Sequence, residues 1–253
     1  MNKVILGIFA HPDDAEFSCT GTLSLFHKKA GWNVHIATLA SGDKGTAEHT
    51  QEEISRIRKS EATRSAALLN GTYHCLDFED VYIFYNRETI NKTTALIRRI
   101  VPDIVITHNP VDYMVDHEVT SQIVRTACFA VGMKNLDVDE TPLESVPHLY
   151  YSDVMEGKDH FGERISMVIH VNISEVIEVK EKMLKCHASQ RNWLMAYHKM
   201  DEYVLSMKNN ALARGKECNT DYAEGFNQHL GHGYPQTNLF KEILGDLVTI
   251  NKK

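Results

Sequence analysis

The amino-acid sequence predicts an α/β fold, a Rossmann-like and mostly parallel sheet flanked by helices, with further strands and helices added at the C-terminal end. Short, continuous apolar runs alternate with longer stretches of helical spacing, the pattern of a parallel sheet covered on both faces. Glycine or proline stands where the helical patterns stop. Beyond residue 131 this alternation changes, because two strand-like segments follow each other and a helix-rich stretch comes after them.

The N-terminal part of the chain predicts two central strands and the helix between them. The apolar run 4–10 predicts a buried strand, and residues 16–30 predict a helix that ends at Gly31. Residues 33–40 predict the second strand. The segment 73–85 fits neither pattern clearly, so its structure is left open.

Two more helices are predicted from start and stop signals. Thr50 and Glu53 have the spacing of a capping box, which begins a helix that runs to Leu69. Apolar residues at helical spacing over 90–101 indicate the next helix, and Pro102 ends it. The remaining predicted elements are a strand over 103–110, a helix over 116–131, strands over 148–153 and 165–174, and a helix-rich region over 175–215.

A single domain is expected over residues 1–253. Its Rossmann-like core covers about 1–131, and the C-terminal elaboration covers about 132–253. No internal repeat, low-complexity tract or linker rich in proline, glycine and serine divides the sequence.

Composition excludes several classes of protein. The formal net charge is −7 and no block of Lys and Arg stands out, so no nucleic-acid partner is expected. No apolar stretch approaches the ~18 residues of a membrane span, and the N-terminal run is too short for a signal peptide. We therefore expect a cytoplasmic protein without a transmembrane segment. The five cysteines are scattered, which favours reduced thiols over disulfides or a cysteine zinc site.

A cluster of polar residues directly follows the first predicted strand. His11, Asp13 and Asp14 lie at the edge of the sheet where open α/β proteins bind ligands. Imidazole nitrogens and carboxylate oxygens are normal zinc ligands, so His11 and Asp14 are candidates for binding one metal ion. Asp13 is then free to take a proton from water. Alternatively, the two carboxylates only cap the following helix, whose N-terminal end favours negative charge.

His117 is the candidate third ligand, because it begins a helix after another predicted parallel strand. Asp116 beside it is a candidate to orient the histidines from outside the ligand set. Three protein ligands leave one position open, as in catalytic zinc sites. An Asp-His pair at a helix start can also be a simple cap, but two such clusters, each after a buried strand, favour a shared site.

The segments "AHPDDAEFSCTGTL" and "DYMVDH" resemble the zinc-dependent N-acetylglucosaminyl deacetylases, often called the PIG-L or LmbE-like family. The usual motifs of that family are AHPDD(x)E near the N-terminus and an HPDH-type cluster later in the chain. The segments "SGDKGT", "RKSEA", "THNP" and "YAEGF" extend the similarity over most of the sequence. The first motif is quite specific, and the short later motifs are supportive.

The resemblance assigns roles to the two clusters. It implies that His11, Asp14 and His117 bind Zn²⁺, although Fe²⁺ also suits a site of this type. Asp13 is the implied general base that activates water, and Asp116 joins it among the candidate catalytic residues. Zinc would lower the pKa of the water and polarise the amide carbonyl of the substrate.

The substrate side of the predicted site contains one match and one departure. Arg58 matches a family arginine that reaches the sugar site, although it is equally interpreted as an exposed helix residue paired with Glu61. The family commonly has a histidine three residues before the last ligand, but Met114 stands here, and a thioether cannot donate a hydrogen bond. Our hypothesis is that His229 or His232 supplies this donor from a late glycine-containing segment, with His229 on the substrate side.

The resemblance implies a zinc-dependent hydrolase that removes the N-acetyl group from an N-acetylglucosaminyl conjugate, a small-molecule partner. The alternatives are an amidase for another glycoconjugate amide, or a sugar-binding protein that retained the metal and lost catalysis with the histidine at position 114. Asp13 argues against the last alternative, because a binding protein needs no free base beside a metal. A homo-oligomer is compatible with the sequence.

Overall fold

The computed structural model describes residues 3–198 and 203–251, and its strands form one eight-stranded sheet. In chain order the strands are β1 (Val4–Phe9), β2 (Asn33–Ala40), β3 (Thr72–Phe78), β4 (Ile104–Thr107), β5 (His148–Ser152), β6 (Ile169–Asn172), β7 (Ala223–Gln228) and β8 (Val248–Ile250). Across the sheet their order is β3-β2-β1-β4-β5-β7-β6-β8. The pairs from β3 to β5 are parallel, and the pairs from β5 to β8 are antiparallel. This confirms the predicted mostly parallel α/β sheet.

Helices connect most of these strands. They are α1 (Asp14–Ser18), α2 (Thr20–Ala30), α3 (Gln51–Ala67), α4 (Arg87–Ile100), α5 (Val115–Ala130), α6 (Ile177–Leu184), α7 (Ala188–His198), α8 (Tyr203–Glu217) and α9 (Leu239–Leu244). Within the predicted helix-rich region, residues 199–202 lie outside the described residues. None of the helices described is both long and apolar enough to cross a membrane.

The structure confirms two predicted helix boundaries, the start of α3 and the end of α2. The Thr50 hydroxyl accepts the N–H of Glu53 at 3.3 Å, and the Glu53 carboxylate accepts the N–H of Thr50 at 2.9 Å. Gly31 ends α2 in the left-handed conformation, with φ 68°. The prediction of one continuous helix over 16–30 is wrong, because Cys19 leaves the helical conformation and separates α1 from α2.

The strand β7 was not predicted, because its sequence contains a charge and a glycine instead of an apolar pattern. Its Glu224 is buried and accepts the backbone N–H groups of Gly21 at 2.9 Å and Thr22 at 2.7 Å, at the N-terminus of α2. It also accepts a hydrogen bond from the buried ammonium of Lys180. A Cβ atom at Gly21 would lie 2.8 Å from Ile173, so this close approach requires glycine. The buried carboxylate therefore joins β7, α2 and α6.

The hydrophobic core on one face of the sheet combines both parts of the chain. Phe26 on α2 lies 5.4 Å from Phe240 on α9, measured between ring centroids, and Phe240 lies 5.1 Å from Phe226 on β7. Phe9 of β1 belongs to the same buried cluster. The C-terminal strands and helices thus complete a core that begins with β1.

Candidate active site

The predicted site residues follow β1 and β4, where the order of the sheet reverses. The strand β1 has β2 on one side and β4 on the other, so the connections after these strands leave a crevice at their carboxyl ends. His11 follows β1, His108 follows β4, and His117 lies in the first turn of α5. Parallel strand order therefore brings residues about a hundred positions apart in the sequence to one place.

His11, Asp14 and His117 form a group of side chains that fits one metal ion. One nitrogen or oxygen from each residue lies within 4.8 Å of the others. Nδ1 of His11 is 3.5 Å from one Asp14 carboxylate oxygen, and Nε2 of His117 is 3.4 Å from the other. Two imidazoles and a carboxylate suit Zn²⁺ or Fe²⁺ and leave positions open for water and substrate.

Two further carboxylates orient these histidines. Nε2 of His11 lies 3.0 Å from Asp116, which also accepts the N–H of Val81 at 2.7 Å. Nδ1 of His117 lies 3.0 Å from Asp112. These contacts leave His11 Nδ1 and His117 Nε2 directed to Asp14, as a metal site of this kind requires. Sequence reasoning named Asp116 but missed Asp112, whose signal was a carboxylate in the same short segment.

The charges of the group favour metal binding. Burial raises the pKa of Asp14, but the charges of His117 and His108 outweigh burial and hold that pKa well below its usual range. Burial lowers the pKa of His117, whereas the charge of Asp14 and the hydrogen bond with Asp112 bring it to about 9. The carboxylate of Asp14 is thus favoured in its charged form, which suits the binding of a cation.

A second group, His108, Asp112 and His117, is less suited to a metal. The rings of His108 and His117 are stacked, with centroids 3.9 Å apart and planes 10° apart. The nitrogen lone pairs lie in the ring planes, so parallel stacked rings cannot direct them to one ion. In contrast, the His11 and His117 rings are tilted by 50° at 5.5 Å. His108 Nε2 also accepts the N–H of Ala10 at 3.0 Å.

Asp13 lies beside the metal-ligand group in an unusual conformation. Its φ of 102° places a non-glycine residue in the left-handed region, a strain often found at functional sites. The Tyr203 hydroxyl on α8 donates a hydrogen bond to its buried carboxylate. Burial and the neighbouring charge of Asp14 raise the pKa of Asp13 to about 7, against the opposing effect of His187. This is the range in which a carboxylate can both accept and return a proton near neutral pH.

The helix-cap interpretation of the two aspartates does not describe these contacts. Asp13 precedes α1 but makes no side-chain cap hydrogen bond to any residue that the structure describes. Asp14 instead accepts the N–H of His11 at 2.7 Å, outside the helix. At α5, the residue in the capping position is Met114, which likewise forms no side-chain cap bond within the described part of the chain.

Arg58 is buried against the loop that follows β2, with 3% of its surface exposed. Its Nη2 donates to the carbonyl oxygen of Gly45 at 2.7 Å, and a Cβ atom at Gly45 would lie 2.6 Å from this nitrogen. Within residues 3–198 and 203–251, its Nε has no hydrogen-bond partner. The alternative interpretation, an exposed pair with Glu61, does not describe Arg58, because Glu61 accepts hydrogen bonds from Ser189 instead. Arg58 is therefore positioned as a buried cation of the site.

A cavity of about 400 Å³ opens beside the metal-ligand group. His11, Asp13, Asp14, Arg58 and His117 line it, so the structure brings these predicted residues together. The rest of the lining is largely apolar and aromatic, and includes Phe17, Tyr113, Met114, Met155, Trp193 and Tyr203. Sequence reasoning did not assign the aromatic residues to the site, because their sequence pattern is equally that of core packing.

His229 is not brought to this cavity. It follows β7, which runs antiparallel to β5, and its N–H donates to the carbonyl oxygen of Leu149 at 2.9 Å. Its Nδ1 lies 2.9 Å from the Tyr151 hydroxyl, and its ring packs against Tyr234. The end of an antiparallel β7 lies toward the start of β5, away from the carboxyl ends of β1 and β4. The prediction that His229 lies over the pocket is therefore wrong, since His229 does not line the cavity.

Residues 6–128 match the PIG-L family, described as GlcNAc-PI de-N-acetylase. Just under half of the chain therefore matches the PIG-L family. The matched region contains both clusters of the candidate metal site, from His11 to His117.

The chain is similar to two kinds of enzyme. It is 29% identical to the diacetylchitobiose deacetylase of Thermococcus kodakarensis, over 88% of this chain and 82% of that protein. It is 22% identical to the 4-oxalmesaconate hydratase of Pseudomonas putida, over 88% of each chain. The N,N′-diacetylchitobiose deacetylase structure from Pyrococcus horikoshii has a TM-score of 0.75 at 24% identity, covering 94% of this chain and 88% of the other, and so shows the shared fold.

Proposed function

We propose that the protein is a metal-dependent hydrolase that removes the N-acetyl group from an N-acetylglucosaminyl conjugate. The observation that carries this proposal is the placement of Asp13, a buried carboxylate held by the Tyr203 hydroxyl, beside a three-residue metal-ligand group. The PIG-L family match over residues 6–128 and the similarity to a deacetylase support the same chemistry. Asp13 distinguishes a hydrolase from a binding protein, because binding alone does not use a base.

The residues of the chain can perform the proton transfers of amide hydrolysis. Zn²⁺ or Fe²⁺ held by His11, Asp14 and His117 would polarise the acetamide carbonyl and make water more acidic. Asp13 takes a proton as the water oxygen bonds to the carbonyl carbon, and the carbonyl oxygen becomes an oxyanion. Asp13 then returns this proton to the nitrogen as the C–N bond breaks, which gives acetate and a free amine.

Arg58 is proposed to bind a hydroxyl group of the sugar. Its guanidinium is fixed by Gly45, and it lines the cavity with a nitrogen that lacks a described partner. A buried donor without a partner is costly, and a polar group of the substrate would satisfy it. The fixed guanidinium then places the acetamido group with little loss of side-chain freedom.

The hydratase relative suggests water addition to a carbon–carbon double bond as a rival reaction. Its substrate, 4-oxalmesaconate, carries several carboxylates, whereas the ammonium group of this cavity is already paired. Nζ of Lys44 lies 2.7 Å from Glu79 and 3.1 Å from Asp43. Three carboxylates line the same cavity, namely Asp13, Asp14 and Asp80. This charge distribution favours an uncharged amide over a polyanion.

Amine release from N-acetylglucosamine, N,N′-diacetylchitobiose and lipid-linked or thiol-linked N-acetylglucosaminyl compounds tests the proposal. We expect release by metal-loaded protein, and a loss of roughly 10²- to 10⁴-fold in D13N with metal content retained. D77N is the matched control, because Asp77 is also in the left-handed region, at φ 57°, but is exposed on β3. Asparagine tolerates this conformation, so both variants keep the backbone.

Three results would replace the proposal with another function. Release of amine only from a different glycoconjugate amide would identify the amidase alternative. Binding of sugar without any hydrolysis would identify a sugar-binding protein. Hydration of 4-oxalmesaconate without amine release would place the protein with the hydratase.

A further inference from the structure

The oxyanion of the proposed reaction needs a hydrogen-bond donor, and Met114 cannot provide one. Two other lining residues have an N–H or O–H group that is already engaged. The Lys44 ammonium contacts two carboxylates, and the Tyr203 hydroxyl donates to Asp13. Tyr113 differs from these residues, because it is a lining donor whose ring packs directly against a metal ligand.

The position of Tyr113 is fixed by the same short segment that holds the metal ligand His117. Its ring meets the His117 ring edge to face, with centroids 5.3 Å apart and planes 82° apart. Asp112, the residue before it, lies 3.0 Å from His117 Nδ1 and accepts the N–H of Met114 at 3.2 Å. The N–H of Asp112 itself donates to Glu118 at 3.0 Å. The chain on both sides of Tyr113 is therefore anchored beside the metal-ligand group.

Tyr113 is about half exposed and lines the cavity. Its phenol has an O–H group that can donate a hydrogen bond to a ligand there, which a thioether cannot do.

We propose that the Tyr113 hydroxyl donates a hydrogen bond to the oxyanion of the tetrahedral intermediate and replaces a donor that position 114 lacks. This inference rests on the proposed deacetylase function. Tyr113 keeps its proton in every step: Asp13 takes the proton of water and delivers it to the leaving nitrogen, while the phenol only stabilises charge. Catalysis then needs no histidine at position 114.

The substitution Y113F tests this role by removing a single hydroxyl. Loss of one oxyanion donor typically lowers turnover about 10²- to 10³-fold, so we expect a fall in kcat of this size with KM nearly unchanged. Affinity for a phosphonate analogue of the acetamide should fall with kcat, whereas affinity for the glucosamine product should not. Metal content and melting temperature should equal those of the wild type. Y82F is the matched control, because Tyr82 is also half exposed but does not line the described cavity.

The two proposals fail in different ways. Wild-type turnover that Y113F leaves unchanged, with unchanged affinity for the phosphonate, would overturn the role of Tyr113 and leave the deacetylase standing. A parallel rise in KM and loss of product affinity would show that Tyr113 binds substrate uniformly instead of stabilising the oxyanion. Absence of amine release by the wild type would overturn both.

Discussion

At the scale of single residues, Asp13 combines a strained backbone with a buried carboxylate. Left-handed backbone at a non-glycine residue costs about 1–3 kcal/mol and persists only when its surroundings hold it. Part of that support comes from Tyr203, which reaches the carboxylate from the distant helix α8. The hydroxyl donates to one oxygen of Asp13. In the proposed reaction the other oxygen accepts the proton of water, so we propose that Tyr203 acts as a positioning residue.

The substitution Y203F removes this hydroxyl and should misplace the base. A hydrogen bond to a charged group contributes about 1.5–3 kcal/mol, so we expect kcat to fall roughly 10- to 100-fold while KM and metal content stay constant. Steady-state kinetics with metal analysis measures this split. Y73F is the control, because the Tyr73 hydroxyl also has a hydrogen bond, at 2.7 Å from Thr38, but lies outside the cavity. An equal fall in kcat in Y203F and Y73F would contradict a specific role for Tyr203.

Sequence reasoning located the metal-ligand group but not its supports. The sequence was sufficient to predict His11, Asp14 and His117, because each follows a recognisable strand and has the side chain of a metal ligand. Asp112 was missed because its only signal was a carboxylate in the segment of His117, and Tyr203 was missed because a tyrosine has no distinctive pattern by itself. Their function depends on which segments the fold brings together, and this is visible only in three dimensions.

At the scale of secondary structure, the N-terminus of α2 depends on a strand late in the chain. Glu224 of β7 accepts two backbone N–H groups there and pairs with buried Lys180. Helix N-termini leave such groups without partners, and negative charge is favourable near them. The glutamate of the "YAEGF" segment therefore has a structural role in this protein.

The substitution E224Q should destabilise the protein strongly. It leaves the Lys180 charge buried without its partner, which typically costs about 3–5 kcal/mol of unfolding free energy. Denaturant unfolding measures the change. D77N removes an exposed pair with Lys59, 2.8 Å apart, and should cost less than about 1 kcal/mol. If E224Q lowered the free energy of unfolding by a similarly small amount, Glu224 would not stabilise α2.

Element predictions succeeded where local signals are strong and failed where tertiary contacts decide. The apolar runs of β1, β2 and β4 and the capping box of α3 are local properties, and all are observed. The strand β7 was missed because its buried Glu224 is stabilised by residues far away in the sequence. The error in the position of His229 follows from this omission, since the direction of β7 places that residue at the other end of β5.

At the scale of the whole molecule, the N-terminal and C-terminal parts share one sheet and one core. The pairs β4–β5 and β5–β7 connect them, and Phe240 packs against both Phe26 and Phe226. We propose that residues 1–253 fold as a single domain, because the Rossmann-like core by itself would leave one apolar face of its sheet exposed to water. That exposure would remove much of the burial of apolar surface that stabilises the fold.

This proposal predicts one cooperative unfolding transition. Calorimetry should give equal calorimetric and van't Hoff enthalpies for the full chain, and a fragment of residues 1–131 should not show a cooperative transition. Metal should raise the melting temperature of the full chain, because it binds only the folded site. Two separate transitions, or a stable N-terminal fragment, would contradict the single domain.

The central claim is that two distant segments of the sequence form one metal site, and metal content measures this most directly. We expect purified wild-type protein to bind about one Zn²⁺ or Fe²⁺ per chain by elemental analysis, and D14A and H117A each to lose it. H148A and D77A, outside the ligand group, should retain the metal. Loss of metal in both D14A and H117A would support the shared site. Protein that cannot be loaded with metal, or metal retained in both variants, would contradict it.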